Sequence, residues 1–163
     1  MRVLVTGGIG YIGSHTLIEL IANNYETLTI DNLSNSYSSN IKNVEKIIGS
    51  KLNFLKIDLN NKRDLNNAFK KFLPDAVIHF SGLKSVEESV KFPEKYYYNN
   101  VEGTLNLINA MSIHGCKTII FSSSATVYGN PISTPIKEDH PLNPLNPYGK
   151  SKKIIEDMLN EWS

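Results

Sequence analysis

Three groups of residues in this 163-residue chain have types and spacings that could do chemistry. In Tyr148-Gly149-Lys150-Ser151-Lys152, a phenol and an ammonium stand four residues apart. On a helix that spacing puts both on one face, about 5–6 Å apart at Cβ. The ammonium favours the phenolate and draws the tyrosine pKa from about 10 towards neutrality. A shift of about three units corresponds to some 4 kcal/mol of differential interaction. Such a tyrosine serves as general base towards a sugar or alcohol hydroxyl. The spacing alone decides little: 8 tyrosines share the chain with 15 lysines, and the plain alternative is an exposed amphipathic helix start.

The second group is Thr6-Gly7-Gly8-Ile9-Gly10-Tyr11-Ile12-Gly13. It reads either as Gly7-x-x-Gly10-x-x-Gly13 or as Gly8-x-Gly10-x-x-Gly13, and the physics is the same for both. Residues without side chains let the backbone turn sharply against a pyrophosphate, and the free N–H groups of a helix start receive its charge. Asp31 follows Gly13 by 18 residues, at the end of a candidate strand. A carboxylate there accepts hydrogen bonds from both ribose hydroxyls and repels a 2′-phosphate. The next residues, Asn32-Leu33-Ser34-Asn35-Ser36, include no Arg or Lys to receive that phosphate, so NAD is favoured over NADP. Asp58, ending another candidate strand, faces an adenine amino group or caps its own loop. The third group, Phe121-Ser122-Ser123-Ser124, puts a hydroxyl run at a strand's carboxyl end, where open α/β sheets bind ligands. Ser124, Tyr148 and Lys152 then converge on the nicotinamide.

Elements able to position these groups are legible. Apolar runs predict strands over Arg2–Thr6, Glu26–Asp31, Leu52–Ile57, Asp75–Phe80 and Lys117–Ser122. Most are continuous rather than alternating, as in strands covered on both faces. Helical patterns lie between them. Tyr11–Asn23 comes first, then Asn40–Gly49 with Ile41, Val44, Ile47 and Ile48 on one face. Arg63–Leu73 carries Leu65, Ala68, Phe69 and Phe72 on one face. A long helix is predicted from Pro93 to just before Gly115, and a last one from about Tyr148. The alternation implies one α/β domain over 1–163, a Rossmann-type doubly wound parallel sheet. A sixth strand is expected to follow the fifth, so the chain is read as unfinished.

Composition narrows the classes. The chain is 40% hydrophobic and 20% charged, with a net charge of +1, which excludes wholesale disorder and gives no electrostatic footprint for nucleic acid or an anionic membrane. The single cysteine, Cys116, is read as a small buried residue, and Cys/His spacing offers no metal site. No run approaches the ~20 apolar residues that span a bilayer, so a cytoplasmic location is the default. His79 is read as a core or strand-end histidine rather than a ligand, and Tyr96-Tyr97-Tyr98 as packing rather than stacking residues.

Taken together, the motifs resemble the amino-terminal part of the NAD-dependent UDP-glucose 4-epimerase family, extended short-chain dehydrogenases/reductases. The resemblance rests on Thr6-Gly7-Gly8-x-Gly10-Tyr11-Ile12-Gly13-Ser14-His15, Asp31-Asn32-Leu33-x-Asn35-Ser36 and His79-Phe80-Ser81-Gly82-Leu83-Lys84. It continues through Asn99-Asn100-Val101-x-Gly103-Thr104, Ser122-Ser123-Ser124-Ala125-Thr126-Val127-Tyr128-Gly129 and Tyr148-Gly149-Lys150-Ser151-Lys152. Related 4,6-dehydratases carry an Asp-Glu pair where Ala125 and Thr126 stand, so dehydration is disfavoured.

The resemblance implies roles. Gly7, Gly10 and Gly13 shape the loop, and the backbone of Tyr11 and Ile12 holds the pyrophosphate. Asp31, Asn32, Leu33, Ser34, Asn35 and Ser36 surround the ribose, while Asp58 and Leu59 border the adenine. Phe80, Ser81, Gly82, Leu83, Lys84 and Asn99 line the cofactor's other half. Tyr148 is the base, Lys152 holds the nicotinamide ribose, and Ser124 bridges the sugar hydroxyl, with Lys84, Ser124 and Tyr148 touching substrate. The implied reaction interconverts UDP-glucose and UDP-galactose through a 4-keto sugar, in a homodimer formed through the helices at about 93–113 and from 148. Three departures stand out. Ile9 and Ser81 replace a usual serine and alanine, Ile9 being expected to crowd the phosphate turn, and Tyr98 stands for an aspartate. The family's carboxy-terminal substrate domain has no counterpart here. Another sugar-nucleotide epimerase of the same fold, or an NAD-binding remnant without catalysis, stays open.

Overall fold

In a computed structural model, which describes residues 1–162, the chain forms two compact units. The first comprises residues 1–81 and 105–122 and contains the whole sheet. Its strands are β1 (Arg2–Thr6), β2 (Glu26–Asp31), β3 (Phe54–Lys56), β4 (Ala76–His79) and β5 (Thr118–Phe121). All pairings are parallel, in the order β3-β2-β1-β4-β5. Thr6 pairs with Ile30 on one side and His79 on the other, so the chain leaves β1 between two neighbouring strand ends. This is the crevice position at which an order reversal opens space above a parallel sheet.

The helices α1 (Tyr11–Ala22), α2 (Ser39–Ile48) and α3 (Lys62–Phe72) connect the strands. Val3 and Val5 of β1 pack with Ile9, Leu17, Val44 and Leu52 in one buried cluster. Leu4 and Val77, pointing to the other face by strand alternation, are equally buried. Covering on both faces explains the continuous apolar runs. β5, at the edge, departs from this: Ile120 is 60% exposed. α3 buries the expected Leu65, Ala68, Phe69 and Phe72. On α2, Val44 is buried and Ile41 and Ile48 partly so, whereas Ile47 is exposed. At 3.6 residues per turn, position 47 rotates off the face that 41, 44 and 48 share.

The second unit comprises residues 82–104 and those from 123 on. It opens with a short helix absent from the sequence reading, α4 (Val86–Lys91), capped by Ser85 through the Glu88 N–H at 3.2 Å. Pro93 ends it by forcing Phe92 out of helical geometry, at φ −135°. The long helix expected from Pro93 is interrupted. α5 (Pro93–Tyr96) runs into a π turn over Tyr97–Glu102, and only then does α6 (Gly103–Ile113) proceed, its residues from Leu105 belonging to the first unit. The Thr104 hydroxyl donates to the Asn100 carbonyl at 2.6 Å within the widened turn. Such insertions gather at functional sites. The last helix, α7 (Pro147–Trp162), begins with proline, whose missing N–H costs nothing there. Among the described residues no helix is long and apolar enough to cross a membrane.

Candidate functional site

In the first unit the site grows from the loop between β1 and α1. Gly7 sits at φ +67°, and a Cβ on it would lie 2.7 Å from the Ser81 nitrogen. A Cβ on Gly13 would press on the Gly7 carbonyl and lie 2.6 Å from the Gly8 Cα. No side chain fits at either place, so backbone closes on backbone. Both positions belong to the Gly7-x-x-Gly10-x-x-Gly13 spacing. Gly10 caps α1 without a side-chain bond, and no acidic residue occupies the first turn. The N–H groups of Tyr11, Ile12 and Gly13 therefore have no intrahelical acceptor. A helix start of this kind receives phosphate.

Ile9 does not crowd the loop. Its side chain is fully buried among Val3, Val5, Leu17, Val44 and Leu52, so the branch points into the core and away from the turn. Its N–H donates to Asp31 Oδ2 at 3.1 Å, and its carbonyl accepts the Asn40 amide at 3.1 Å. The other Asp31 oxygen, Oδ1, accepts the Leu33 N–H at 2.8 Å and the Ser36 hydroxyl at 3.0 Å. One buried carboxylate thus holds the phosphate loop and the 32–36 loop in register. Asn32 donates to Asp58 Oδ2 at 2.8 Å while its own Oδ1 accepts the Ser34 N–H at 2.9 Å. Asp58 Oδ1 accepts the Asn60 N–H at 2.9 Å, so this carboxylate does cap its loop. Leu59 beside it is buried, and Asn35 is exposed. At the end of β4, Phe80 packs partly against the core cluster, and the Ser81 N–H reaches the Thr6 hydroxyl at 3.4 Å. That hydroxyl lies 2.6 Å from Nδ1 of the buried His79, whose ring stacks on Phe121. His79 and Cys116 are core residues, as expected.

In the second unit α7 carries the phenol and the ammonium. Asn146 Oδ1 accepts the Gly149 N–H at 2.8 Å and fixes the helix start. Tyr148 is 9% exposed and Lys152 5%, with the Lys152 Nζ 6.0 Å from the Tyr148 ring centroid. The exposed-helix alternative is thereby excluded for both. Burial pushes the Lys152 ammonium down to about 8, with Glu156 opposing the shift. Tyr148 meets Tyr96 edge-on at 6.4 Å. The Tyr96 hydroxyl donates to Glu88 at 2.9 Å. Burial first, then that carboxylate, push it up to about 12. Tyr96 is thus held neutral. Tyr96 packs as expected, whereas Tyr98 is exposed.

Ser124 precedes a single 3-10 turn, Ala125–Val127. Its Oγ accepts the Thr126 N–H at 3.2 Å and the Thr126 hydroxyl at 2.9 Å. The Thr126 carbonyl is seated against Gly149, where a Cβ would lie 2.7 Å from it. The serine's turn therefore rests on the residue next to Tyr148. Gly82, Leu83 and Asn99 gather around a residue the sequence reading passed over, Asn100. Its Oδ1 accepts the Leu83 N–H at 2.8 Å and the Asn99 amide at 2.9 Å. Its Nδ2 donates to the Leu83 carbonyl at 3.0 Å and to Ser151 Oγ at 3.2 Å. Ser151 in turn donates to the Tyr148 carbonyl at 2.7 Å. Asn100 is 2% exposed and joins the 82–84 loop to α7. In a chain with several Asn-Asn pairs, nothing but its place in a motif marked it. Lys84, the last residue of this loop, is exposed.

The model of the GDP-mannose 4,6 dehydratase family matches residues 4–163. The chain belongs to that family. It is 51% identical over 160 residues to the UDP-glucose 4-epimerase of Dictyostelium discoideum, covering 98% of this chain and 46% of the relative. It is 49% identical over 170 residues to the UDP-glucose 4-epimerase of Bacillus subtilis, covering 100% of this chain and 50% of that protein. A crystal structure of the Bifidobacterium longum UDP-glucose 4-epimerase in complex with NAD+ and UDP superposes with a TM-score of 0.96 at 44% identity, over 99% of this chain and 48% of that one. The chain spans about half the length of the curated relatives it matches.

Proposed function

We propose that the protein works as an NAD-dependent UDP-glucose 4-epimerase, interconverting UDP-glucose and UDP-galactose at C4. The observation that carries the reading is the buried Tyr148–Lys152 pair, one helical turn apart in the same unit as the Ser124 hydroxyl. Within the family, dehydration is disfavoured because Ala125 and Thr126 bring no carboxyl group next to Ser124. The relatives named epimerases, and the neighbour crystallised with NAD+ and UDP, support the assignment.

The residues suit an NAD. The loop that excludes side chains at Gly7 and Gly13, with the first-turn N–H groups of α1, would hold the pyrophosphate. Asp31 and the loop to Ser36 would hold the adenine ribose, with Asp58 and Leu59 near the base. By the resemblance, Phe80, Ser81, Gly82, Leu83, Lys84 and Asn99 would serve the rest of the cofactor. When bound, NAD supplies a reversible hydride acceptor at the sugar's C4. The chain's own groups handle the proton and the geometry. Tyr148 as phenolate takes the O4 proton and later returns it, as a general base and then acid. Lys152, still largely an ammonium at neutral pH, favours that phenolate and would bind the nicotinamide ribose. Ser124 bonds the same sugar oxygen and keeps it in line with Tyr148.

The reading also places the protein in the cytoplasm as a homodimer through the helices at about 93–113 and from 148. Exposed Tyr98 and Ile154 on those helices support the contact. A monomer in sedimentation equilibrium at tens of micromolar would contradict it. The activity itself is tested by turnover of UDP-galactose in the wild type and Tyr148→Phe. Loss of turnover with NAD binding intact is expected; retained turnover removes Tyr148 as the base.

A further inference from the structure

We propose that Thr126 is a positioning residue that holds the Ser124 hydroxyl oxygen in place for the reaction. The proposal rests on the epimerase reading for its chemistry and on the second unit's geometry for its mechanism. A serine hydroxyl has one proton and two acceptor lone pairs. Ser124 Oγ accepts the Thr126 N–H at 3.2 Å and shares a hydrogen bond with the Thr126 hydroxyl at 2.9 Å, so one residue holds it at two points.

The arrangement is braced from two sides. Ser124 is extended, at φ −157° and ψ 145°, while Ala125–Val127 form one 3-10 turn closed by the Val127 N–H on the Ser124 carbonyl at 3.1 Å. The Thr126 carbonyl abuts Gly149 so closely that no side chain could stand there. Thr126 thus holds the Ser124 hydroxyl oxygen and seats the turn beside Tyr148.

The consequence is a division of labour. Ser124, held at two points, presents its hydroxyl in one place to the sugar's O4. Tyr148 takes the O4 proton, and the Ser124 hydrogen bond holds O4 as the negative charge develops.

The test is a double-mutant cycle with Ser124→Ala, Thr126→Val and both together, plus Thr126→Ser. Two quantities are read: kcat and KM for UDP-galactose, and the urea midpoint of unfolding. Thr126→Val is expected to lower kcat about tenfold with KM within about twofold, as befits one lost orienting hydrogen bond. Thr126→Ser restores kcat to within about twofold of the wild type. In the Ser124→Ala background, Thr126→Val changes kcat by less than about twofold. An equal loss in both backgrounds, or a Thr126→Ser protein as slow as Thr126→Val, overturns the positioning role. The unfolding cycle reads the bond without any turnover: Thr126→Val lowers the midpoint only when Ser124 is present, and additive shifts overturn the proposal. If the unaltered protein turns over no UDP-galactose, the epimerase reading falls, and the unfolding cycle alone decides for or against the Ser124–Thr126 bond.

Discussion

Replacing Lys152 by methionine should make the protein more stable at neutral pH while removing the group proposed to activate Tyr148. Lys152 is 5% exposed, and burial lowers its ammonium from the usual 10.5 to about 8. At 1.36 kcal/mol per unit, holding that charge in the folded state costs about 3 kcal/mol. Below pH 8 the lysine is charged in both folded and unfolded chains, so the whole cost is present. Between pH 8 and 10.5 the unfolded chain binds the proton more tightly than the folded one, and stability rises with pH. Methionine fills nearly the same space without the charge, so the desolvation cost is removed. Urea unfolding of the wild type and Lys152→Met at pH 6.5, 7.5, 8.5 and 9.5 measures the difference. The variant should lead by about 3 kcal/mol at the two lower values and by about 1.5 kcal/mol at pH 9.5. A variant less stable than the wild type at pH 7, or a gap that does not move with pH, would refute the reasoning.

Three further outcomes follow from the first unit. Ile9→Ser should cost about 3 kcal/mol in urea unfolding, because it empties a fully buried position. NAD affinity by calorimetry should stay within a few-fold, since the side chain points into the core. Gly13→Ala should drive a methyl into the Gly7 carbonyl, lowering stability by more than about 1 kcal/mol and abolishing the heat of NAD binding. Asp31→Ala should strip the Ile9 and Leu33 N–H groups of their acceptor. Each group left unpaired costs about 1–3 kcal/mol, and NAD affinity should fall at least tenfold.

What the sequence made legible is what backbone physics dictates locally. The order of strands and helices, the α3 face and the glycine loop all follow from periodicity and from steric needs visible in the residue types. Asp31 could be placed at the end of β2, yet its bonds to Ile9, Leu33 and Ser36 depend on how two loops fold back. The direction of Ile9 is hidden for a related reason: residue type shows bulk but not direction, and the turn aims this side chain into the core. The π turn at Tyr97–Glu102 is one residue wider per turn than the pattern suggests, and apolar spacing cannot register that. Asn100 and Thr126 are ordinary residues by type. Their importance comes from bonds to Leu83, Ser151 and Ser124, which join segments far apart or turn on one hydroxyl rotation. Tyr148 and Lys152 are legible as a pair, but their burial comes from the packing of α7 with Tyr96, which spacing alone does not register.

The central claim is that this chain carries an NAD site in which the glycine loop and Asp31 select the cofactor. Isothermal titration of the purified protein with NAD and, separately, NADP tests it most directly. The account predicts one NAD bound per chain and no measurable heat with NADP. Equal binding of the two would contradict the role given to Asp31, and a folded protein that binds neither would contradict the site itself.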